Sequence, residues 1–184
     1  MLELLAMGSD HNVAVEVAAA LGGRAYLSSD GESERRPFSA LVRVDTDNLA
    51  MLARAADIAL HVAYSRDVKV ADGSPPPDRV VAAFPLLHHP DLTHDQADEH
   101  WRDVHAPLAL QHHSAMCDYT QLSIVTTISG RPLDGVALCA FANRDDLRER
   151  FFNDEAARAA IEADVSGFAD IAHSPRRVVL TQPV

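Results

Sequence analysis

Cysteine, positive charge and long apolar runs are all scarce in this chain, and each scarcity removes a class of protein. Cys117 and Cys139 are the only cysteines and lie in no CxxC or finger-like spacing. That argues against a disulfide framework or a structural zinc site and for two packed, reduced thiols. Sixteen lysines and arginines stand against 27 aspartates and glutamates, a formal net charge of -11. A surface of that sign repels phosphate backbones and anionic headgroups, so neither nucleic acid nor a membrane surface is expected as a partner. No segment approaches the roughly 18 consecutive apolar residues of a membrane span. The opening MLELLAMGSD has no basic start and carries Glu3 inside its apolar run, unlike a signal peptide. A cytoplasmic protein is expected. GxSxG, GxGxxG and Walker-type phosphate loops are missing as well, and no cofactor is implied.

What is present is enough apolar matter for a core, 47% of 184 residues, arranged twice in the same order. LELLAM reads as a strand. SDHNVAVEVAAALGG reads as a helix with a Ser9 or Asp10 cap, Val13, Val17, Ala20 and Leu21 at helical spacing, and a Gly22-Gly23 stop. RAYLSS and FSALVRVD are strand-like around the polar loop DGESERRP. TDNLAMLARAAD is a second helix with Thr46 or Asp47 as its cap, and IALHVAYS alternates Ile58, Leu60, Val62 and Tyr64 as a half-buried strand does. ADGSPPPD then breaks the pattern, because three prolines cannot continue a ladder. After it come RVVAAFPLL, the helical THDQADEHWRDVH, the strand pair YTQLSIVTTI and GVALCAFA, the long helical stretch RDDLRERFFNDEAARAAIEADVSGFADI, and RRVVLTQPV.

The order is βαββαβ in each half. The fold expected is therefore α+β: two tandem ferredoxin-like βαββαβ repeats, residues 1–70 and 80–184, joined by a proline-rich linker at 71–79. Each would carry helices on one sheet face, and the two bare faces would cover each other in a pseudo-twofold barrel with a cavity between the sheets. The chain is either a monomer with this internal pseudo-dimer or a homodimer.

The histidines stand out next, seven of the ten lying between His88 and His113. Thr93 with Gln96 three residues on forms a capping box that fixes the helical register. Ala97, Trp101, His105 and Leu108 then share one stripe, so His105 points with Trp101 toward the sheet, near a helix end where Ala106-Pro107 disfavours further regular helix. His100 lies about 140° around from His105 in regular α-helix geometry and is placed at an edge or in solvent. A half-buried imidazole at His105 suits a general acid or base, or a structural hydrogen bond. The five-residue step to His100 suits no zinc pair, and no metal is assigned. The pairs at 88–89 and 112–113 read as loop residues. On the strand DYTQLSIVT, Tyr119, Gln121, Ser123 and Val125 share a face that is the candidate cavity wall. Asp164 sits between Ile161 and Phe168 on a buried helix face, where a carboxylate orients an imidazole or bonds backbone amides.

In order along the second half, LTHDQADEHWRDVHAPLA, YTQLSIV, LDGVALCAF, DLRERF and EADVSGFAD together resemble the EthD-domain family of dimeric α/β-barrel proteins, with its HW…HxPL, Y-x-Q, DGVA and late D…F-x-D. The resemblance covers residues 80 to 184. It implies a small barrel and, from the wider superfamily, a cofactor-independent cyclase, isomerase, dehydratase or monooxygenase. The leading expectation is an acid–base enzyme for a small hydrophobic carbonyl or phenolic compound, with His105, Tyr119 and Gln121 catalytic and Trp101, Ser123, His100 and Asp164 around the substrate. The alternatives are a non-catalytic or stress-related binder of hydrophobic ligands and a cofactor-free monooxygenase.

Overall fold

The computed structural model describes residues 1–28, 36–45, 47–73, 76 and 78–182. Thr46, most of the DGESERRP loop and three linker residues lie outside that set. Eight strands close into one antiparallel barrel in the order β1-β3-β2-β8-β5-β7-β6-β4. They are β1 (Leu2–Gly8), β2 (Arg24–Ser28), β3 (Ala40–Val44), β4 (Ala59–Lys69), β5 (Val80–Leu86), β6 (Met116–Ser129), β7 (Gly135–Phe141) and β8 (Val178–Thr181). The first half contributes β4-β1-β3-β2 and the second β8-β5-β7-β6. One seam is short, Leu27↔Thr181 and Ser28↔Leu180. The other is long and bulged, running from Leu60↔Ser129 to Lys69↔Tyr119.

The helices lie outside this ring and follow local signals. In α1 (His11–Leu21) the Asp10 carboxylate accepts from the Asn12 and Val13 amides, and Gly22 ends the helix at φ 65°, where only glycine is unstrained. The buried stripe is Ala14, Val17 and Ala18, with Ala20 exposed, so α1 is rotated from the expected face. In α2 (Leu49–Leu52), followed by a 3-10 turn, Asn48 is the cap, its side chain accepting from the Met51 amide. The long helical stretch expected after β7 is two helices, α5 (Arg144–Glu149) and α6 (Glu155–Phe168), because Asp154 caps a new start.

Strand alternation sorts the core into three layers. Inside the barrel are Leu5, Met7, Leu41, Leu122, Ile124, Val136, Leu138 and Leu180. Outside the first half, Leu4, Ala6, Val42 and Leu60 meet Ala14, Val17 and Leu52. Outside the second half, Val80, Ala82, Ala137 and Phe141 meet Trp101, Ile161 and Phe168. One expectation is corrected here. The barrel interior is packed with side chains over most of its length rather than holding the main apolar cavity. The alternation expected over this stretch resolves into two rows: Leu60, Val62 and Tyr64 of β4 face outward, with Ile58 just before the strand, while Ala59, His61 and Ala63 occupy the interior row.

Gly135, the glycine of DGVA, opens the outward row of β7. A Cβ there would lie 2.5 Å from Cζ3 and 2.9 Å from Cη2 of Trp101. The indole is buried and hydrogen-bonded, so it cannot swing aside. Gly135→Ala is expected to destabilise the protein by about 1–3 kcal/mol, as overpacking does. Urea unfolding checks it, and an unchanged midpoint would show that the indole yields.

Candidate active site

The site is built on α3 (His94–His100), which starts at the Thr93–Gln96 capping box. Contrary to the expected stop, the helix does not end at Pro107. It widens into a π turn over Trp101–His105, with the Ala106 amide bonding the Trp101 carbonyl, and resumes as α4 (Ala106–His112). Pro107 has no N–H for the Asp103 carbonyl and its ring would press on that group, so a wider turn relieves both problems.

The extra residue in the turn brings His100 and His105 round to the same side, overturning the regular-helix estimate that separated them. Asp164 of α6 holds both: His100 Nε2 lies 2.8 Å from one carboxylate oxygen and His105 Nδ1 2.7 Å from the other. Both rings also pack on Phe168, with centroids 5.2 Å away. The His100 side chain is 34% exposed and that of His105 only 11%. Burial pushes the His105 imidazole below its ordinary range, against the opposing pull of Asp164. The neutral ring with its proton on Nδ1 fits this pair, and Nε2 makes no hydrogen bond among the described residues.

His105 lines a pocket of about 400 Å3 between the helices and the outer face of the second-half sheet, with Trp101, His113, Tyr119, Cys139 and Phe168 among its walls. The pocket is therefore on the helix side of the sheet, not between two sheets as expected. Tyr119 is buried in its wall and accepts from Trp101 Nε1 and from Gln121 Nε2, both at 3.0 Å. Burial raises its phenol far above the ordinary range, so it stays protonated, with both lone pairs used and its hydrogen left to donate. Burial likewise pushes the Cys139 thiol up to about 12.

Gln121 departs from the catalytic part expected of it. It is fully buried, does not line the pocket, and gives its amide to Tyr119 and, at 2.9 Å, to the Trp101 carbonyl that starts the π turn. Its amide thus bridges the Tyr119 hydroxyl and the start of the π turn. Ser123 also lies away from the pocket, bonding Asp98. Burial pushes the Asp98 carboxyl up, but bonds from Arg66 and Ser123 outweigh this and hold it below the ordinary range. Arg66 pairs with Asp98 at 2.7 Å and lies over the Trp101 ring. Val125, grouped with the wall residues, is 60% exposed.

His113 is the residue that the sequence reading missed. It stands directly after α4, 5% exposed, with Nδ1 bonded to the Phe151 carbonyl and its ring against Phe151. Its spacing of eight from His105 is a helical signal, lost once the helix was ended at Pro107. Among the described residues no group of three or more His, Cys, Asp or Glu side chains is arranged to hold a metal ion, and no helix is long and apolar enough to cross a membrane.

Burial depresses His61, inside the barrel, and His113 as it does His105. In each case the unfolded chain binds the proton more readily. Their contribution to stability is therefore complete above the ordinary value of 6.5 and is lost as pH falls through it toward the lower folded values. The urea midpoint is expected to drop between about pH 7.5 and pH 5.5. A flat profile would mean that these rings are solvated in the native state. The Asp98 contribution, by the same linkage, persists until pH falls below the ordinary carboxylate value of 3.8.

Comparison with known proteins matches residues 89–172 to the EthD domain. That segment, 84 of the 184 residues, is the part of the chain that is similar to the EthD family. The fold as a whole is that of the dimeric α/β-barrel proteins, with the ring closed inside one chain. An anthrone oxidase-like protein shares 11% identity at a TM-score of 0.57, over 100% of this chain and 90% of its own. A heme-degrading enzyme of Listeria monocytogenes shares 8% at 0.52, over 100% of both chains. A monooxygenase-like protein of Listeria innocua shares 10% at 0.52, over 100% of this chain and 94% of its own. Identities this low show the fold alone. No curated protein matches the sequence significantly. The EthD segment contains the whole His100–Asp164–His105 constellation, Tyr119 and, apart from Phe84, the pocket's aromatic wall, and it excludes the first half.

Proposed function

We propose that the EthD-domain pocket is the active site of a cofactor-independent acid–base enzyme, a cyclase, dehydratase or isomerase, acting on a small hydrophobic carbonyl or phenolic compound. The observation that carries this reading is the Asp164-bound His105 at the wall of an otherwise apolar pocket. With Nδ1–H given to Asp164, Nε2 keeps a lone pair that removes a proton next to a carbonyl, and the carboxylate stabilises the imidazolium that forms. Tyr119 donates its hydrogen to the carbonyl oxygen as negative charge builds there. The enolate then takes its proton back at another carbon, expels a β-hydroxyl that the imidazolium protonates, or attacks a second carbonyl. These outcomes are isomerisation, dehydration and cyclisation. A volume near 400 Å3 suits a two- or three-ring compound.

The two halves, residues 1–70 and 80–184 around the linker at 71–79, act in this proposal as two ferredoxin-like units forming their own pseudo-dimer, of which only the second is functional. At the corresponding helix–sheet interface the first half packs Ala14, Val17 and Ala18 against Ala6 and Val42, so one ligand per chain is expected.

Anthrone, suggested by the name of the anthrone oxidase-like neighbour, is a test compound with a carbonyl and an acidic C–H. Catalysed exchange of that hydrogen for deuterium under nitrogen supports the acid–base reading. Binding without exchange makes the protein a hydrophobic-ligand binder. Oxygen uptake with anthraquinone as product makes it a cofactor-free monooxygenase.

A further inference from the structure

The end of the barrel remote from the DGVA turn holds a second cavity, of about 340 Å3, whose walls are unlike those of the EthD pocket. Arg24, Arg43, Lys69 and Arg79 line it, together with Asp67 and Asp118. In a chain of net charge -11, four cations around one opening are a local reversal of sign. They are met by three carboxylates when Glu3, which grips Arg43 at 2.8 and 2.9 Å, is included. Arg79 is paired with Asp118. Asp67 accepts the Thr120 hydroxyl. Lys69 gives its ammonium to the Met116 carbonyl and meets no carboxylate within ion-pair distance among the described residues. Arg24 has no hydrogen-bond or ion-pair partner there at all.

A second observation comes from the ladder. Arg24 is the direct cross-strand partner of Arg43, and both side chains line the same cavity. Like charges directly opposite each other destabilise a sheet. The single Glu3 carboxylate is already committed to Arg43, so the second guanidinium faces the opening uncompensated. The buried Arg79 Nε also lacks a partner among the described residues. Beneath these charges Tyr26, Val81, Leu138 and Ala140, all part of the barrel core, form an apolar floor.

We infer that the barrel mouth is a binding site for a small organic acid, its carboxylate held by Arg24 and Lys69 and its apolar body resting on Tyr26, Val81 and Leu138. Arginine offers a planar fork to a carboxylate and lysine a point charge, and both are already held beside an apolar surface that a bare inorganic anion does not need. The site is separate from the EthD pocket: the sheet lies between them, and no lining residue is shared.

Isothermal titration of the full-length protein with benzoate, at ionic strength fixed with chloride, tests this. One equivalent is expected to bind saturably at millimolar concentration or below. Arg24→Ala and Lys69→Gln are each expected to weaken it about tenfold, while His105→Asn leaves it unchanged. Benzyl alcohol and inorganic phosphate are each expected to bind at least about tenfold more weakly than benzoate, for want of the charge and of the apolar body respectively. Arg24 is exposed, so its replacement leaves the fold intact, which far-UV circular dichroism verifies. Absence of saturation, indifference to both substitutions, phosphate binding equal to benzoate, or loss of binding in His105→Asn would each overturn the inference. The last would place benzoate in the EthD pocket.

Discussion

Replacing His105 by asparagine is expected to lower catalysed hydrogen exchange on an anthrone-type substrate by about 10²–10⁴-fold, the range that one general acid–base group supplies. The asparagine amide retains a donor for Asp164, so the His100–Asp164 pair and the packing of His100 on Phe168 persist while the Nε2 lone pair is gone. Thermal unfolding of the variant should therefore stay close to that of the parent. The wild-type rate should rise with pH through a value below the ordinary imidazole range, since burial depresses His105 and the base must be neutral. A variant with the parent's rate would move the base to His113, the other imidazole in the wall. His113→Gln would then be the variant that loses exchange.

The largest effect on stability is expected at Trp101. Its ring is 2% exposed, rests where Gly135 has no side chain, lies under Arg66 and donates to Tyr119. Trp101→Ala is expected to cost about 3–5 kcal/mol, the range for emptying a large aromatic site in a core that relaxes only in part. Trp101→Phe keeps most of the volume and loses the Nε1 bond, for about 1 kcal/mol. Urea unfolding of the pair separates packing from hydrogen bonding. Equal losses would mean that the site collapses around the alanine and that the indole's volume is not what holds the π turn.

Trp101 also shows how the short motifs of the second half divide their work. The glycine of DGVA makes room for the indole, the tyrosine of Y-x-Q takes its N–H, and the glutamine takes the carbonyl of the same residue. Gln121 was expected in the cavity wall, and the structure buries it behind that wall. An amide on a strand face two residues from a tyrosine has the composition of a substrate clamp. Burial and two internal bonds make it a brace for the helix instead.

The sequence by itself determined the elements and the residue types of the site. Asp10, Thr93 with Gln96, and Gly22 mark helix ends because their side chains, or the lack of one, satisfy or permit backbone geometry within a few residues. The period-2 pattern of β6 put Tyr119, Gln121 and Ser123 on one face, and the helical stripe put Trp101 with His105. Such readings rest on local geometry, which a chain carries in its own order. Only the tertiary structure decided which face of β6 turns to the helices and which to the barrel, because alternation gives two faces without saying what covers each. It alone decided the π turn, where Pro107 disturbs the helix and Gln121, on another element, donates to the Trp101 carbonyl that starts the turn. It alone brought Asp164 to His100 and His105, across 64 and 59 residues of chain. A carboxylate hydrogen-bonded to two imidazoles keeps that arrangement only where both helices are docked, and no spacing in the sequence records that condition.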